Sequence, residues 1–164
     1  PLNRETYFGL VRRDWCPKAG VWAYQTAAWM FDGASFLGDV PMAEQDTYGL
    51  LFDGNQGRFA VLWSRKEGYQ TAVPAHPRTG ARRPWQMHYT VRTPVSLRAE
   101  GDSITVVDWV GREQIVQADS DGQATIELTG APIYVLGADL EPHQGKFARM
   151  FQSEPEPSPA ETKE

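Results

Sequence analysis

With 164 residues, 16 Lys and Arg against 21 Asp and Glu, and a formal net charge of −5, the chain can bury one core and is too short for a complete (β/α)8 barrel of about 250 residues. The acidic balance excludes a general electrostatic attraction for nucleic acid or an anionic membrane surface, and no apolar run is long enough to span a bilayer. Cys16 is the only cysteine, which rules out an internal disulfide and leaves the redox compartment open.

In chain order the first element is helical. From Pro17 to Phe31, Val21, Tyr24, Ala28 and Phe31 recur at a spacing of three to four, with Pro17 suited to the first turn because its missing N–H would be unpaired there. Asp32-Gly33 ends the helix, since Gly33 can take the left-handed conformation after the last turn without a Cβ penalty. Trp22, Ala27, Trp29 and Met30 lie outside the stripe, so most of the circumference is apolar and the helix needs packing partners on two sides.

Beyond Gly33 the period becomes two. Ser35 to Val40 and Thr47 to Asp53 read as strands, and Gly54-Asn55-Gln56-Gly57 supplies a hairpin turn into Arg58 to Ser64. Further on, Ser103 to Val110 and Glu113 to Ala118 flank Gly111-Arg112, and Asp119-Ser120-Asp121-Gly122 leads into Gln123 to Thr129, where apolar Ala124, Ile126 and Leu128 alternate with polar residues. Ala131 to Leu136 is a last apolar strand. Seven to nine short strands with turn signals between them predict a mainly β chain: an antiparallel two-sheet sandwich preceded by one helix. The Pro- and Arg-rich stretch between Val73 and Trp85 reads as an exposed loop. The Pro/Glu-rich run from Gln152 onward reads as a disordered tail or linker.

Self-contained chemistry is not indicated. Glu44 with Asp46 and Asp119 with Asp121 are close acidic pairs, but turns hold such residues for backbone bonding or solvent. His76, His88 and His143 have no ligand partners at metal spacing, so neither a metal nor a cofactor is expected. Ser64 and Ser103 lack nucleophile-elbow glycines. An aromatic beside Arg, His or Gln suits a sugar ring, whose C–H face packs on an indole while its hydroxyls bond polar groups; Trp85 with Arg83, His88 and Tyr89 fits that pattern. The same basic and aromatic stretch would suit single-stranded nucleic acid, against which the acidic remainder argues. Trp63 and Trp109 are expected on strands, in the core.

Several phrases carry a resemblance. Gly9-Leu10, Asp14 and Pro17-Lys18-Ala19 are followed by Asp32-Gly33-Ala34-Ser35-Phe36-Leu37-Gly38, then by Val61-Leu62-Trp63-Ser64. Val107-Asp108-Trp109-Val110-Gly111 and Leu128 to Val135, through Pro132 and Tyr134, close the series. Across residues 7–137 this resembles the junction between the barrel and the C-terminal β-sandwich of clan-A-type glycoside hydrolases. The resemblance implies a fragment of a larger, bacterial-type carbohydrate-active enzyme, secreted or periplasmic, with its catalytic carboxylates upstream and none in this chain. Residues 1–33 would end a barrel, with a final helix over 17–31; residues 34–140 would be the sandwich and residues 141–164 a tail or linker. The expected role is that of a non-catalytic accessory domain bracing the (β/α)8 barrel of the same polypeptide through Val21, Trp22 and Trp29. A carbohydrate-binding module gripping polysaccharide through Trp85, Arg83, His88 and Tyr89 is the alternative. Nucleic acid and membrane are not expected partners.

Overall fold

A computed structural model of the protein describes residues 10–11, 15–66 and 91–152. These form α1 (Ala19–Phe31), β1 (Ser35–Asp39), β2 (Thr47–Gly54), β3 (Gly57–Ser64), β4 (Thr93–Arg98), β5 (Ser103–Asp108), β6 (Glu113–Gln117), β7 (Gln123–Leu128), β8 (Ile133–Leu136) and α2 (Lys146–Gln152). One antiparallel sheet has the order β1-β2-β3-β8-β5-β6, and β4 pairs with β7 in the second. The fold is thus mainly β, a two-sheet antiparallel sandwich behind one early helix. Gly54 and Gly57 face each other across the β2–β3 turn, as their turn chemistry requires.

The larger sheet is apolar on both faces. One face packs on β4 and β7: Leu51, Ala60, Leu62, Ile104 and Val135 meet Leu97, Ala124, Ile126 and Leu128 in the main core. The opposite face carries Phe59, Val61, Val107 and Tyr134, and Met30 of α1, fully buried, sits with them. Residues 59–62 of β3 are therefore all buried, where a strand with one solvated face would alternate. Phe31 adds edge-on ring contacts to Phe52 at 4.9 Å, Phe59 at 5.7 Å and Tyr134 at 6.0 Å. Such pairs add to the area they bury, because the positive ring edge meets the negative ring face.

Four details differ from expectation. The helix begins at Ala19: Lys18 is extended with φ −83° and ψ 161°, and Pro17 lies before it in an antiparallel bridge to Val11. The phase of α1 also differs, because its buried residues are Met30, against the sheet, and Thr26, beside Gly111 of the β5–β6 turn, while Tyr24 and Ala28 of the expected stripe face outward. Met30 packs among Phe59, Val61, Val107 and Tyr134, and helical spacing alone does not reveal that this side faces inward. Third, β5 ends at Asp108, so Trp109 and Val110 lie in a turn, half-buried, with Trp109 outside both the strand and the core expected for it.

The fourth concerns the segment after residue 140, expected as a tail, in which α2 is fastened to β1. Asp39 exchanges backbone bonds with His143, and its carboxylate accepts the N–H of Phe147 at 3.2 Å and of Ala148 at 2.7 Å. These are first-turn amides with no partner inside the helix, so a buried carboxylate there acts as a cap. Phe147 then packs edge-on against Tyr48 and Trp63, which stack on each other at 5.5 Å. The residues after 152 lie outside the described residues.

Asp39→Ala is expected to cost about 1–3 kcal/mol of stability, from the lost charged bonds and two orphaned amides. Native-state hydrogen exchange checks it. The amides of Phe147 and Ala148 should exchange much faster, and unchanged exchange there would refute the capping role.

Candidate functional site

Helix α1 contains 13 residues and no charged side chain. A helix that is apolar around its circumference is ordinarily covered on all sides, yet here only one side meets the sheet. The result is a chain of exposed apolar residues: Trp15 is 86% exposed, Tyr24 70%, Trp22 48% and Trp29 43%, with Leu10 and Val11 alongside. Trp15 also has φ 64°, a conformation that costs a bulky residue free energy. It stands in the loop closed by the Val11–Pro17 bridge and by the Lys18 N–H donating to the Leu10 carbonyl at 2.8 Å.

Beside this face runs a groove between α1 and the β5–β6 turn. The helix contributes Trp22, Gln25, Thr26 and Trp29. Val110, Gly111 and Glu113 form the other wall.

That wall is held rigidly by Asp108. One carboxylate oxygen accepts the N–H of Val110 at 3.0 Å and of Arg112 at 2.9 Å, and the other accepts Arg112 Nε at 2.7 Å. Burial works against ionisation of Asp108, but the Arg112 N–H, the Arg112 guanidinium and the Val110 N–H together outweigh it and hold the carboxyl below its ordinary value. Gly111 has φ +86°, and a Cβ there would stand 2.9 Å from Thr26 Oγ1. The Thr26 hydroxyl donates back to the Trp22 carbonyl at 2.8 Å. Glycine thus lets the turn touch the helix.

Of the residues singled out from sequence, Val21, Trp22 and Trp29 all lie on α1, with Val21 half-buried and both tryptophans exposed along the groove. Trp85, Arg83, His88 and Tyr89 lie outside the described residues, as does His76. The acidic pairs serve turns. Glu44 pairs with Lys66 at 3.1 Å, Asp46 takes φ 58° ahead of β2, and the Asp119 carboxylate accepts the N–H groups of Asp121 and Gln123 at 2.9 Å each. Ser64 is buried against Thr93, its hydroxyl 3.4 Å away. Among the described residues no three of His, Cys, Asp and Glu are placed to share a metal ion, and no helix is long and apolar enough to cross a membrane.

Sequence reasoning missed Gln25, Gly111 and Glu113. The phrase from Asp108 to Gly111 signals a tight turn, but nothing local says that this turn lies against a helix more than 80 residues earlier in the chain.

No family model matches the chain. It is similar to "Large ribosomal subunit protein uL6" of Archaeoglobus fulgidus, with 30% identity over 66 residues, covering 38% of this chain and 34% of that protein. The chain thus spans about a third of the length of the curated relative it matches. That relative is by name a ribosomal component, which conflicts with glycoside hydrolase, polysaccharide degradation and carbohydrate binding as descriptions of this chain. Those descriptions are corrected accordingly. They rested on short phrases and on an aromatic and basic composition that many surfaces share.

Gly111→Ala should destabilise by about 1–2 kcal/mol or more, because it combines a disfavoured backbone conformation with a clash into Thr26. A lowered urea midpoint together with red-shifted tryptophan emission would report loosening of α1, and wild-type values would refute the contact.

Because the Asp108 carboxyl is held below its unfolded value of 3.8, its ionised form adds stability that is present above that value and lost as pH falls through the lower folded one. Asp108→Asn should therefore lower the urea midpoint at pH 7, with the gap to wild type narrowing as pH falls below 3.8 and the folded carboxylate is protonated. A gap independent of pH would sink this account.

Proposed function

We propose that this chain is a non-catalytic accessory β-sandwich that braces a neighbouring folded domain through the outer face of α1. The neighbour is another folded domain of the same polypeptide. The observation that carries the reading is the uncharged, half-exposed α1. Trp22, Tyr24 and Trp29 on α1, with Trp15 just before it, present roughly 500 Å² of ring surface, at about 150–250 Å² per ring and allowing for their fractional exposure. One side of a standard interface is about 800 Å², so these rings supply more than half of it. The largest exposed apolar surface of a protein is often an interaction site. Tryptophan and tyrosine are also the residues that most often anchor interfaces, since they bury much area with few rotatable bonds.

The likeness to a large-ribosomal-subunit protein favours a second reading, attachment of the same face to a large assembly. The net charge of −5 sets the contact on protein instead of on phosphate, whose negative field repels an acidic chain. Co-sedimentation with large ribosomal subunits from the source organism would support this second reading.

Tyr24→Asp combined with Ala28→Glu tests the first reading in the full-length polypeptide. On a free helix face such changes cost within about 0.5 kcal/mol; in a bracing interface they bury unpaired charge. The expected result is one cooperative calorimetric transition splitting into two, with the sandwich remaining folded. A thermogram identical to wild type would overturn the bracing role.

A further inference from the structure

We propose that the groove between α1 and the β5–β6 turn is a socket for one cationic side chain, an arginine or lysine presented by the docked partner. This rests on the docking reading above and adds the chemistry of the contact.

Three observations carry it. First, the groove pairs the indoles of Trp22 and Trp29 with the Glu113 carboxylate and the Gln25 amide, and none of its lining residues is cationic. An indole face carries partial negative charge and attracts a cation placed over it, and a carboxylate at the rim supplies the counter-charge. Apolar surface and negative potential together specify a cationic head on an alkyl stem.

Second, Glu113 makes no ion pair or hydrogen bond through its side chain among the described residues. The cation next to it in sequence is engaged elsewhere: Arg112 is held on Asp108 at 2.7 Å. The Glu113 charge therefore stands uncompensated at the edge of an apolar groove.

Third, the aromatic cluster beneath α2 already has cations of its own. Arg65 lies over the ring of Tyr48 at 5.8 Å, and Lys146 over Phe147 at 5.8 Å. Over Trp22 and Trp29 no cation lies among the described residues. The same pairing of ring and cation that is internal at one site is open at the other. A partner's arginine would complete it, and Trp and Arg are the residues that most often carry binding energy across interfaces.

The test is a titration of the full chain with N-acetyl-arginine amide, followed by the indole N–H resonances of Trp22 and Trp29. N-acetyl-citrulline amide, similar in shape and uncharged, is the control. Saturable shifts of both indoles with the arginine probe and not with citrulline are expected. Glu113→Gln, a surface change that leaves the fold intact, should weaken the arginine response about fivefold, the ratio that a loss of about 1 kcal/mol gives. Equal shifts with citrulline, no saturation, or an unchanged affinity in Glu113→Gln would each overturn the socket. The outcomes separate from those of the docking test. If the probe fails while charge at Tyr24 and Ala28 still uncouples the domains, the socket falls and the bracing role stands. If arginine binds while those charges are silent, the groove is a cation site and the bracing role falls.

Discussion

A β-sheet with apolar side chains on both faces cannot stand at the surface of a sandwich, and every other feature of this molecule follows from that constraint. Phe59, Val61, Val107 and Tyr134 project from the six-stranded sheet away from β4 and β7, so a further layer must cover them. Met30 and Phe31 of α1 do so at one end, and Phe147 of α2 covers Tyr48 and Trp63 at the other. The helices are thus a third layer of the domain. The free energy that seats α1 comes from a few large side chains on one side, which leaves the opposite side unused and available.

The hairpins were the most legible part of the sequence, because their signals are local. Turn residues between Gly54 and Gly57 and between Asp119 and Gly122, with alternation from Ala124 to Leu128, are enough to place three strands and two turns. Legibility ended where distant segments choose each other. Which side of α1 faces inward depends on the apolar residues of β3, β5 and β8 that receive Met30, and the cap on α2 comes from Asp39, 108 residues before Phe147. Neither leaves a periodic mark. The excess of apolar residues around α1 did mark Trp22 and Trp29 as residues seeking cover, whereas Gly111 and Glu113 became part of the same groove only through folding.

Rigid framing gives that groove its definition. The Asp108 carboxylate spends its lone pairs on backbone N–H groups and on Arg112, so the turn cannot drift and Glu113 beyond it is presented at a fixed edge. On the helix side, Thr26 bonds back to the Trp22 carbonyl, which keeps a polar hydroxyl satisfied where the glycine turn presses against it. An exposed surface with both walls pre-set loses little entropy when a partner arrives. The limited likeness to a ribosomal protein is compatible with such a surface, since an apolar face can serve any assembly whose shape complements it.

The position of β8 has a consequence for how the molecule comes into being. This four-residue strand lies between β3 and β5, so the two halves of the large sheet are joined by a segment made about 70 residues after β3. A growing chain holds β1 to β3 as a hairpin stack with a bare, apolar edge on β3 until Ile133 to Leu136 are available. During that interval the edge is a template for any other unpaired strand. Pairing across the middle of the sheet therefore waits on those four residues.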